Sequence, residues 1–226
     1  MLETVGALPS IEATDAWRAR VSTLCAELGW PAGDIVARVH RTGASLALAA
    51  PLDQLFSATE VNEWAWASLV LESGAAALDF DWPQAPGHPP AWDAGSAIET
   101  LRRHARGERD VRLLALDAQT RRRGLDLLVD DDVSIGSGTG VAQWPHDALP
   151  DPASIDWDAR RDIPAALVTG SNGKTTTVRL LAAMARAHGW TTLHSCTDGL
   201  FLDGVAFAAG DYSGPAGARA VLREPR

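Results

Sequence analysis

The residues of this chain best suited to chemistry form one run, TGSNGKTTT, at residues 169–177. Within it, Lys174 is the only lysine among 20 basic residues, and the others are arginines. A compact ammonium on a flexible stem suits the β- and γ-phosphates of a nucleotide, whereas a planar guanidinium presents a fork of a different shape. The run therefore predicts a loop that binds nucleotide phosphates.

The segments on either side of this loop have the order that phosphate binding requires. An apolar run at 164–169 predicts a strand, and the residues after the loop predict a helix. Backbone N–H groups at the start of such a helix point at an anion, and glycines let the phosphates approach. The alternative is an ordinary turn that carries a surface lysine. The loop composition, the helix that follows and the unique lysine all favour a phosphate loop instead. The apolar face of the helix is expected to carry Val178, Leu181, Ala182 and Ala185.

A loop of this kind predicts ATP and Mg²⁺ as cofactors. Lys174 is the candidate catalytic residue because its ammonium would neutralise phosphate charge. The hydroxyl of Thr175 is the candidate Mg²⁺ ligand, since magnesium prefers oxygen donors. The predicted nucleotide-binding residues are Gly170, Ser171, Asn172, Gly173, Lys174, Thr175 and Thr176.

The motif departs from the general phosphate-loop pattern G-x-x-x-x-G-K-[ST], because Val168 stands where the first glycine would be. The shorter form at 170–176 resembles the Mur ligase family. The TDGLFLDG block at 197–204 and a GD-x-[ST]-GP block at 210–215 look like the Mur-like module of cyanophycin synthetases more than the peptidoglycan enzymes. The resemblance is strong over residues 160–226 and weak before them, although 57–65 is similar to the amino-terminal region of cyanophycin synthetases.

The resemblance implies an ATP-dependent ligase. Mur-type ligases phosphorylate a carboxylate to give an acyl phosphate, and an amine then displaces phosphate to form an amide. In cyanophycin synthetases the corresponding module joins arginine to an aspartate side chain. The expected partners are thus a small-molecule carboxylate and a small-molecule amine. The family has a magnesium-binding glutamate, more of the central sheet and a further domain after this region, so we expect an amino-terminal fragment without full catalytic competence.

Two other functions use the same loop. A nucleotide-binding module would hold ATP without turnover, and a P-loop kinase would deliver the phosphoryl group to a hydroxyl. Phosphate release that depends on an added amine distinguishes the ligase from both.

Three further segments could bind ligands. Asp198, in the TDG block, is either a substrate contact or part of a β-hairpin with Asp203-Gly204 at its tip. The glycine-rich run at 136–140 could hold a second phosphate, but no helix pattern follows it, so the helix dipole is missing. Three aspartates at 130–132 could bind a cation, although a solvated turn is the more natural interpretation of adjacent carboxylates.

The predicted fold class is α/β. An amino-terminal α+β domain spans 1–144, a linker rich in Pro and Asp spans 145–163, and 164–226 begins a Mur-type central domain with a parallel sheet. Predicted helices cover 12–28, 58–71 and 96–106, the last opened by a Ser96-Glu99 capping box. Predicted strands cover 35–40, 45–50, 111–116 and 125–129, and an exposed loop covers 81–95. Of Trp64 and Trp66, only one is expected in the core.

Composition excludes some functions. The net charge of −9 argues against nucleic acid as a general partner. No apolar stretch approaches the ~20 residues of a membrane span, so we expect no membrane partner and a cytoplasmic location. Cys25 and Cys196 are too few for a disulfide framework. The oligomeric state is left open.

Overall fold

The computed structural model describes residues 1–5, 10–72 and 93–226. These form two compact units, Met1–Val111 and Arg112–Arg226. The predicted linker at 145–163 lies inside the second unit, and the predicted domain division stays a prediction. The described chain is a mixed α/β structure with three small antiparallel sheets.

The first unit combines three helices with one sheet of order β1-β3-β2. Its elements are β1 (Leu2–Val5), α1 (Ile11–Glu27), β2 (Ile35–His40), β3 (Gly43–Leu48), α2 (Leu55–Glu72) and α3 (Ala94–Glu108). The predicted helices at 12–28 and 58–71 are confirmed. Residues 35–40 pair with the next strand as predicted, but that strand is Gly43–Leu48 rather than 45–50. In α1 the buried Trp17, Val21 and Leu24 are four and three positions apart, which is helical spacing.

The core of this unit contains a buried polar pair that fixes α2 against α1 and the sheet. The Trp17 indole donates a hydrogen bond to the Asn62 side-chain oxygen at 3.0 Å, and the Asn62 amide donates to the Leu46 carbonyl at 3.0 Å. Buried polar groups stabilise a fold when each finds a partner. Asn62 lies in the segment 57–65, which resembles the amino-terminal region of cyanophycin synthetases. Its two buried hydrogen bonds give this polar residue a structural role.

Two predictions about the first unit are wrong. Trp64 and Trp66 are both half-buried and both pack against the core, because α2 contacts neighbours on more than one side. The third helix starts before the Ser96-Glu99 box: Asp93 is its N-cap, and the Asp93 carboxylate accepts the Ser96 amide at 2.9 Å. Residues 81–92 of the predicted loop lie outside the described residues.

The second unit begins with α4 (Val111–Arg122), followed by β4 (Leu127–Val129), β5 (Asp132–Ile135) and β6 (Ala142–Pro145) in one antiparallel sheet. The predicted strand at 111–116 is wrong, since these residues are the first half of α4. The buried residues Leu113, Leu116 and Thr120 are three and four positions apart, which is helical spacing. A six-residue apolar run does not distinguish the two structures by itself.

The remainder of the second unit carries the predicted loop. It comprises α5 (Lys174–Ala187), then β7 (Leu193–Cys196), β8 (Gly199–Leu202) and β9 (Val205–Ala209) in a second antiparallel sheet, and α6 (Pro215–Leu222). Helix α5 contacts β7 through the side that carries Val178, Ala182 and Ala185, whereas Leu181, predicted on that face, is 44% exposed. The predicted apolar face is therefore wrong at Leu181.

The strand predicted at 164–169 has no strand partner among the described residues, and Leu167 within it is 91% exposed. All strand pairs that the structure describes are antiparallel, so the parallel sheet stays a prediction. In the described part of the chain, no helix has both the length and the apolar character needed to cross a bilayer.

Candidate functional site

The loop at 169–177 ends where α5 begins. Lys174 is the first residue of the helix, and Gly173 is its N-cap with φ of +79°. A Cβ added at Gly173 would meet no heavy atom within 4 Å. The left-handed conformation, rather than crowding, is therefore what favours glycine at this position.

The backbone amides of the loop are free to bind a ligand. Across the described residues, the N–H groups of residues 170–176 donate to no protein acceptor, whereas the Thr177 amide donates to the Gly173 carbonyl at 2.9 Å. The first N–H groups of a helix lack partners inside the helix and carry partial positive charge. The whole run from Gly170 to Thr177 is exposed or half-exposed, so these amides can reach an anion from solvent.

The ammonium of Lys174 lies against the loop. Its Nζ donates a hydrogen bond to the Gly170 carbonyl at 2.6 Å and lies 3.5 Å from the Ser171 carbonyl. A nucleotide phosphate at this loop would meet the amides and this ammonium together. The geometry suits phosphate binding, and the individual roles of the loop residues stay predictions.

Thr175, the predicted Mg²⁺ ligand, faces a second hydroxyl. Its Oγ1 lies 3.2 Å from the Oγ1 of Thr197, which stands in the two-residue turn between β7 and β8. In the described residues, no group of three or more His, Cys, Asp or Glu side chains could hold a metal ion. Mg²⁺ is commonly bound by one or two protein oxygens together with nucleotide phosphates and waters. The hydroxyl of Thr175 fits that mode of binding.

An ion pair joins α5 to the same turn. The Arg179 guanidinium donates to the Asp198 carboxylate at 2.6 Å, and both side chains are about half exposed. The sequence pattern did not identify Arg179 or Thr197 as site residues. One signal was present: Arg179 lies four residues after Thr175, which places both side chains on one face of α5.

The TDG block is part of a three-stranded meander. Asp203, with φ of +48°, and Gly204, with φ of +83°, form the two-residue turn between β8 and β9. The Asp203 carboxylate accepts the Thr192 amide at 2.8 Å. The predicted hairpin with Asp203-Gly204 at its tip is confirmed. Asp198 lies in the preceding turn, where it pairs with Arg179, and a substrate contact by Asp198 stays a prediction.

Within this meander, the buried His194 packs against an aromatic ring. It stacks on Phe201, its cross-strand partner, with ring centroids 4.7 Å apart. Both ring nitrogens are buried without a hydrogen-bond partner. Burial lowers the pKa of His194 below its ordinary value, and the positive charges of Arg186 and Arg179 lower it further.

The glycine-rich run at 136–140 is filled by the chain itself. The Ser137 amide donates to the Arg161 carbonyl at 2.9 Å, and the Ile163 amide donates to the Ser137 hydroxyl at 2.9 Å. A Cβ at Gly136 would meet the Arg161 and Gly140 carbonyl oxygens at 2.7 and 2.8 Å. The run therefore contacts a neighbouring backbone segment of the protein itself.

Of the three aspartates at 130–132, Asp130 binds α6 and the residue that follows it. The Asp130 carboxylate accepts two hydrogen bonds from the Arg223 guanidinium, at 2.8 and 3.1 Å, and pairs with Arg219 at 3.3 Å. Arg223 also donates to the buried Ser134 hydroxyl at 2.9 Å. These contacts attach α6 to the β4–β6 sheet. They indicate that Asp130 has a structural role in this unit.

Comparison with known proteins gives a partial match. The chain is 46% identical over 63 residues to the cyanophycin synthetase of Geminocystis herdmanii, 44% to that of Synechocystis and 41% to that of Trichormus variabilis. The matched segment is 28% of this chain and 7% of each relative, so the chain spans a small part of the length of the curated proteins it matches. No family model matches the chain, and no solved structure matches it. The similarity supports a relationship to ligases.

Proposed function

We propose that this chain carries the nucleotide-binding part of an ATP-dependent ligase of Mur type, which forms an amide through an acyl phosphate. The observation that carries the proposal is the run of unpaired amides at 170–176 with the Lys174 ammonium beside them. The 63-residue similarity to cyanophycin synthetases adds support for a ligase.

In this proposal the loop binds the β- and γ-phosphates of ATP. The amides of Gly170–Lys174 donate to phosphate oxygens, and Lys174 exchanges its 2.6 Å bond with the Gly170 carbonyl for a phosphate. Thr175 is the residue that would hold Mg²⁺, which screens phosphate charge when bound. The remaining loop residues, Ser171, Asn172 and Thr176, shape the opening.

The reaction proposed for this site has two steps. A carboxylate oxygen of the substrate attacks the γ-phosphorus, and the bond from that phosphorus to the bridging oxygen breaks to release ADP. An amine then attacks the acyl carbon, inorganic phosphate leaves and the amine loses a proton. The first step brings two anions together, so fixed positive groups such as the loop amides and Lys174 are what the protein must supply.

The wider assignments are also proposals. Residues 164–226 would be the first part of a central nucleotide-binding domain with a parallel sheet, preceded by the linker at 145–163 and a domain at 1–144. The enzyme would act in the cytoplasm on a small-molecule carboxylate and amine, without nucleic acid or membrane partners.

A second candidate is a module that binds nucleotide without turnover. One observation favours it for the isolated chain: the described carboxylate beside the loop, Asp198, is paired with Arg179 and is therefore not free to act on a substrate. A P-loop kinase uses the same loop and is the third candidate.

Calorimetric titration of the 226-residue chain with ATP and Mg²⁺ tests the binding that all three candidates share. Phosphate release is then measured with an aspartate peptide as the carboxylate and arginine as the amine. Release that requires the amine supports the ligase. Binding without release is expected of the module and equally of a ligase chain without full catalytic competence. A stable phosphorylated alcohol with serine peptides supports the kinase, and absence of binding contradicts all three.

A further inference from the structure

The turn between β7 and β8 closes one side of the loop. The Thr197 hydroxyl lies 3.2 Å from the Thr175 hydroxyl, and the next residue, Asp198, is bound to Arg179 on α5. The consecutive turn residues Thr197 and Asp198 thus contact Thr175 and Arg179, which lie one helical turn apart on α5. Together they fix the distance between the turn and the start of α5.

Arg179 is also held from a second direction. Its guanidinium carbon lies 5.9 Å from the centre of the Phe201 ring, and Phe201 stacks on the buried His194. A guanidinium near an aromatic face is attracted by the ring and loses freedom to move. Arg179 is thus placed between the β8 ring and the Asp198 carboxylate.

The charge of Asp198 makes the pair unexpected beside an anion site. A carboxylate next to a loop that binds phosphates would weaken binding through repulsion unless a cation neutralises it. An ion pair this exposed contributes little to fold stability, because solvent screens its charges. Stability alone is therefore a weak reason for an acid at this position, and the geometry of the turn is a better one.

We infer that Arg179 and Asp198 are positioning residues: their ion pair holds the Thr197 hydroxyl against Thr175 and so sets the width of the phosphate site. This inference rests on the proposed function, because the site that it shapes is the proposed nucleotide site. Neither side chain needs to touch the nucleotide. Both act through the turn that carries Thr197.

Single variants distinguish positioning from simple charge effects. Asp198→Ala removes a negative charge, so electrostatics alone predicts tighter binding of Mg-ATP, whereas Arg179→Ala removes a positive charge and predicts weaker binding. Positioning predicts that both variants weaken binding, each by about three- to tenfold. The double variant should be no weaker than the more affected single variant, because both changes remove the same contact.

The control is Arg186→Ala, which removes the same charge from the same helix. Arg186 lies near Gly204 and has no contact with Thr197 or Asp198 among the described contacts. Its loss is expected to change Mg-ATP affinity by less than about twofold at 0.15 M salt. Thermal unfolding of every variant checks that the fold is retained.

Calorimetry with Mg-ATP on the 226-residue chain and these variants decides the matter. Weaker binding by Asp198→Ala, restored in part by Asp198→Glu, supports positioning. Equal or tighter binding by Asp198→Ala, while the unaltered chain binds, overturns the positioning role and leaves the proposed function intact. Absence of binding by the unaltered chain overturns both.

Discussion

The second unit contains two glycine-rich segments, and they differ in what occupies them. Residues 136–140 enclose the backbone of residues 161–163, with buried glycines whose missing side chains make room for carbonyl oxygens. Residues 170–174 enclose nothing from the protein, and their amides are unpaired among the described residues. Two segments of similar composition thus differ in structure: one packs against another part of the chain, and the other leaves its amides open to an anion.

The difference follows from the sequence after each segment. A helix begins at Lys174, and its first amides have no carbonyl to bind, whereas 136–140 leads into the strand β6, where backbone groups pair across the sheet. Glycine provides conformational freedom in both segments. In 136–140 the amides of Gly136, Ser137 and Gly140 donate to backbone carbonyls, whereas no amide of 170–174 does so among the described residues. A glycine motif is therefore informative together with the element that follows it.

The largest expected effect comes from Gly136→Ala. Gly136 has φ of +72°, and a Cβ there would lie under 3 Å from two carbonyl oxygens. We expect the free energy of unfolding to fall by about 3 kcal/mol, since strain and overpacking add. Urea unfolding measures this loss. The folded fraction of this variant should bind nucleotide with unchanged affinity. A loss of affinity as large as that of Gly173→Ala would show that the two segments do not differ in function.

The matched variant in the open segment is Gly173→Ala, with φ of +79° and no crowding. We expect a stability loss of about 1 kcal/mol, the cost of the left-handed conformation alone. Gly124→Ala, which has φ of +66° and also no neighbour within 4 Å, is the control for that cost. Mg-ATP affinity should fall in Gly173→Ala and stay constant in Gly124→Ala, as measured by calorimetry.

Lys174→Ala tests the charge of the open segment. Loss of a charge-assisted hydrogen bond of about 1.5–3 kcal/mol should weaken Mg-ATP binding by roughly 10- to 150-fold. Because the side chain is exposed, the unfolding midpoint should not change. Lys174→Arg should weaken binding less, since it keeps the charge but changes its shape. Unaltered affinity in Lys174→Ala would remove the assignment of the loop.

Ser137→Ala probes the filled segment more gently. The buried Ser137 hydroxyl accepts the Ile163 amide at 2.9 Å, and its loss leaves that amide without this acceptor. We expect about 1–2 kcal/mol of destabilisation in urea unfolding, with full nucleotide binding. A variant that is as stable as the parent would mean that 161–163 is not held by this contact.

The smallest expected effect is the pH dependence of the sheet beside the open loop. The pKa of His194 is lowered in the folded protein, so below the ordinary pKa of about 6.5 the unfolded chain takes up a proton that the folded chain does not. Stability contributed by neutral His194 is therefore complete above about pH 6.5 and declines as the pH falls towards the folded pKa. On lowering the pH to 5.5, amide protection factors, which are corrected for the intrinsic exchange rate at each pH, should fall in β7 and stay constant at residues 136–140. His194→Phe keeps the stacked ring and should abolish the difference.

The sequence was sufficient for elements whose pattern is local. Helix α1, helix α2 and the β2–β3 hairpin follow from apolar spacing, and the helix after the loop was placed correctly. The run at 111–116 was assigned to the wrong structure because six apolar residues fit both a strand and one face of a helix.

Contacts between distant residues were beyond the reach of such patterns. That 136–140 would enclose Arg161–Ile163 depends on segments more than 20 residues apart, and no local periodicity encodes it. The same is true of Thr175 with Thr197 and of Arg179 with Asp198. The loop itself could be predicted because its chemistry is carried by adjacent residues, whereas the turn that closes one side of it could not.

The most direct test of the account follows individual backbone amides while Mg-ATP is added to the ¹⁵N-labelled chain. If the open loop holds the phosphates, the amides of residues 170–176 should show large chemical-shift changes, that of Thr197 a smaller change and those of 136–140 none. Binding that moves the amides of 136–140 instead, or leaves those of 170–176 unchanged, would contradict that assignment.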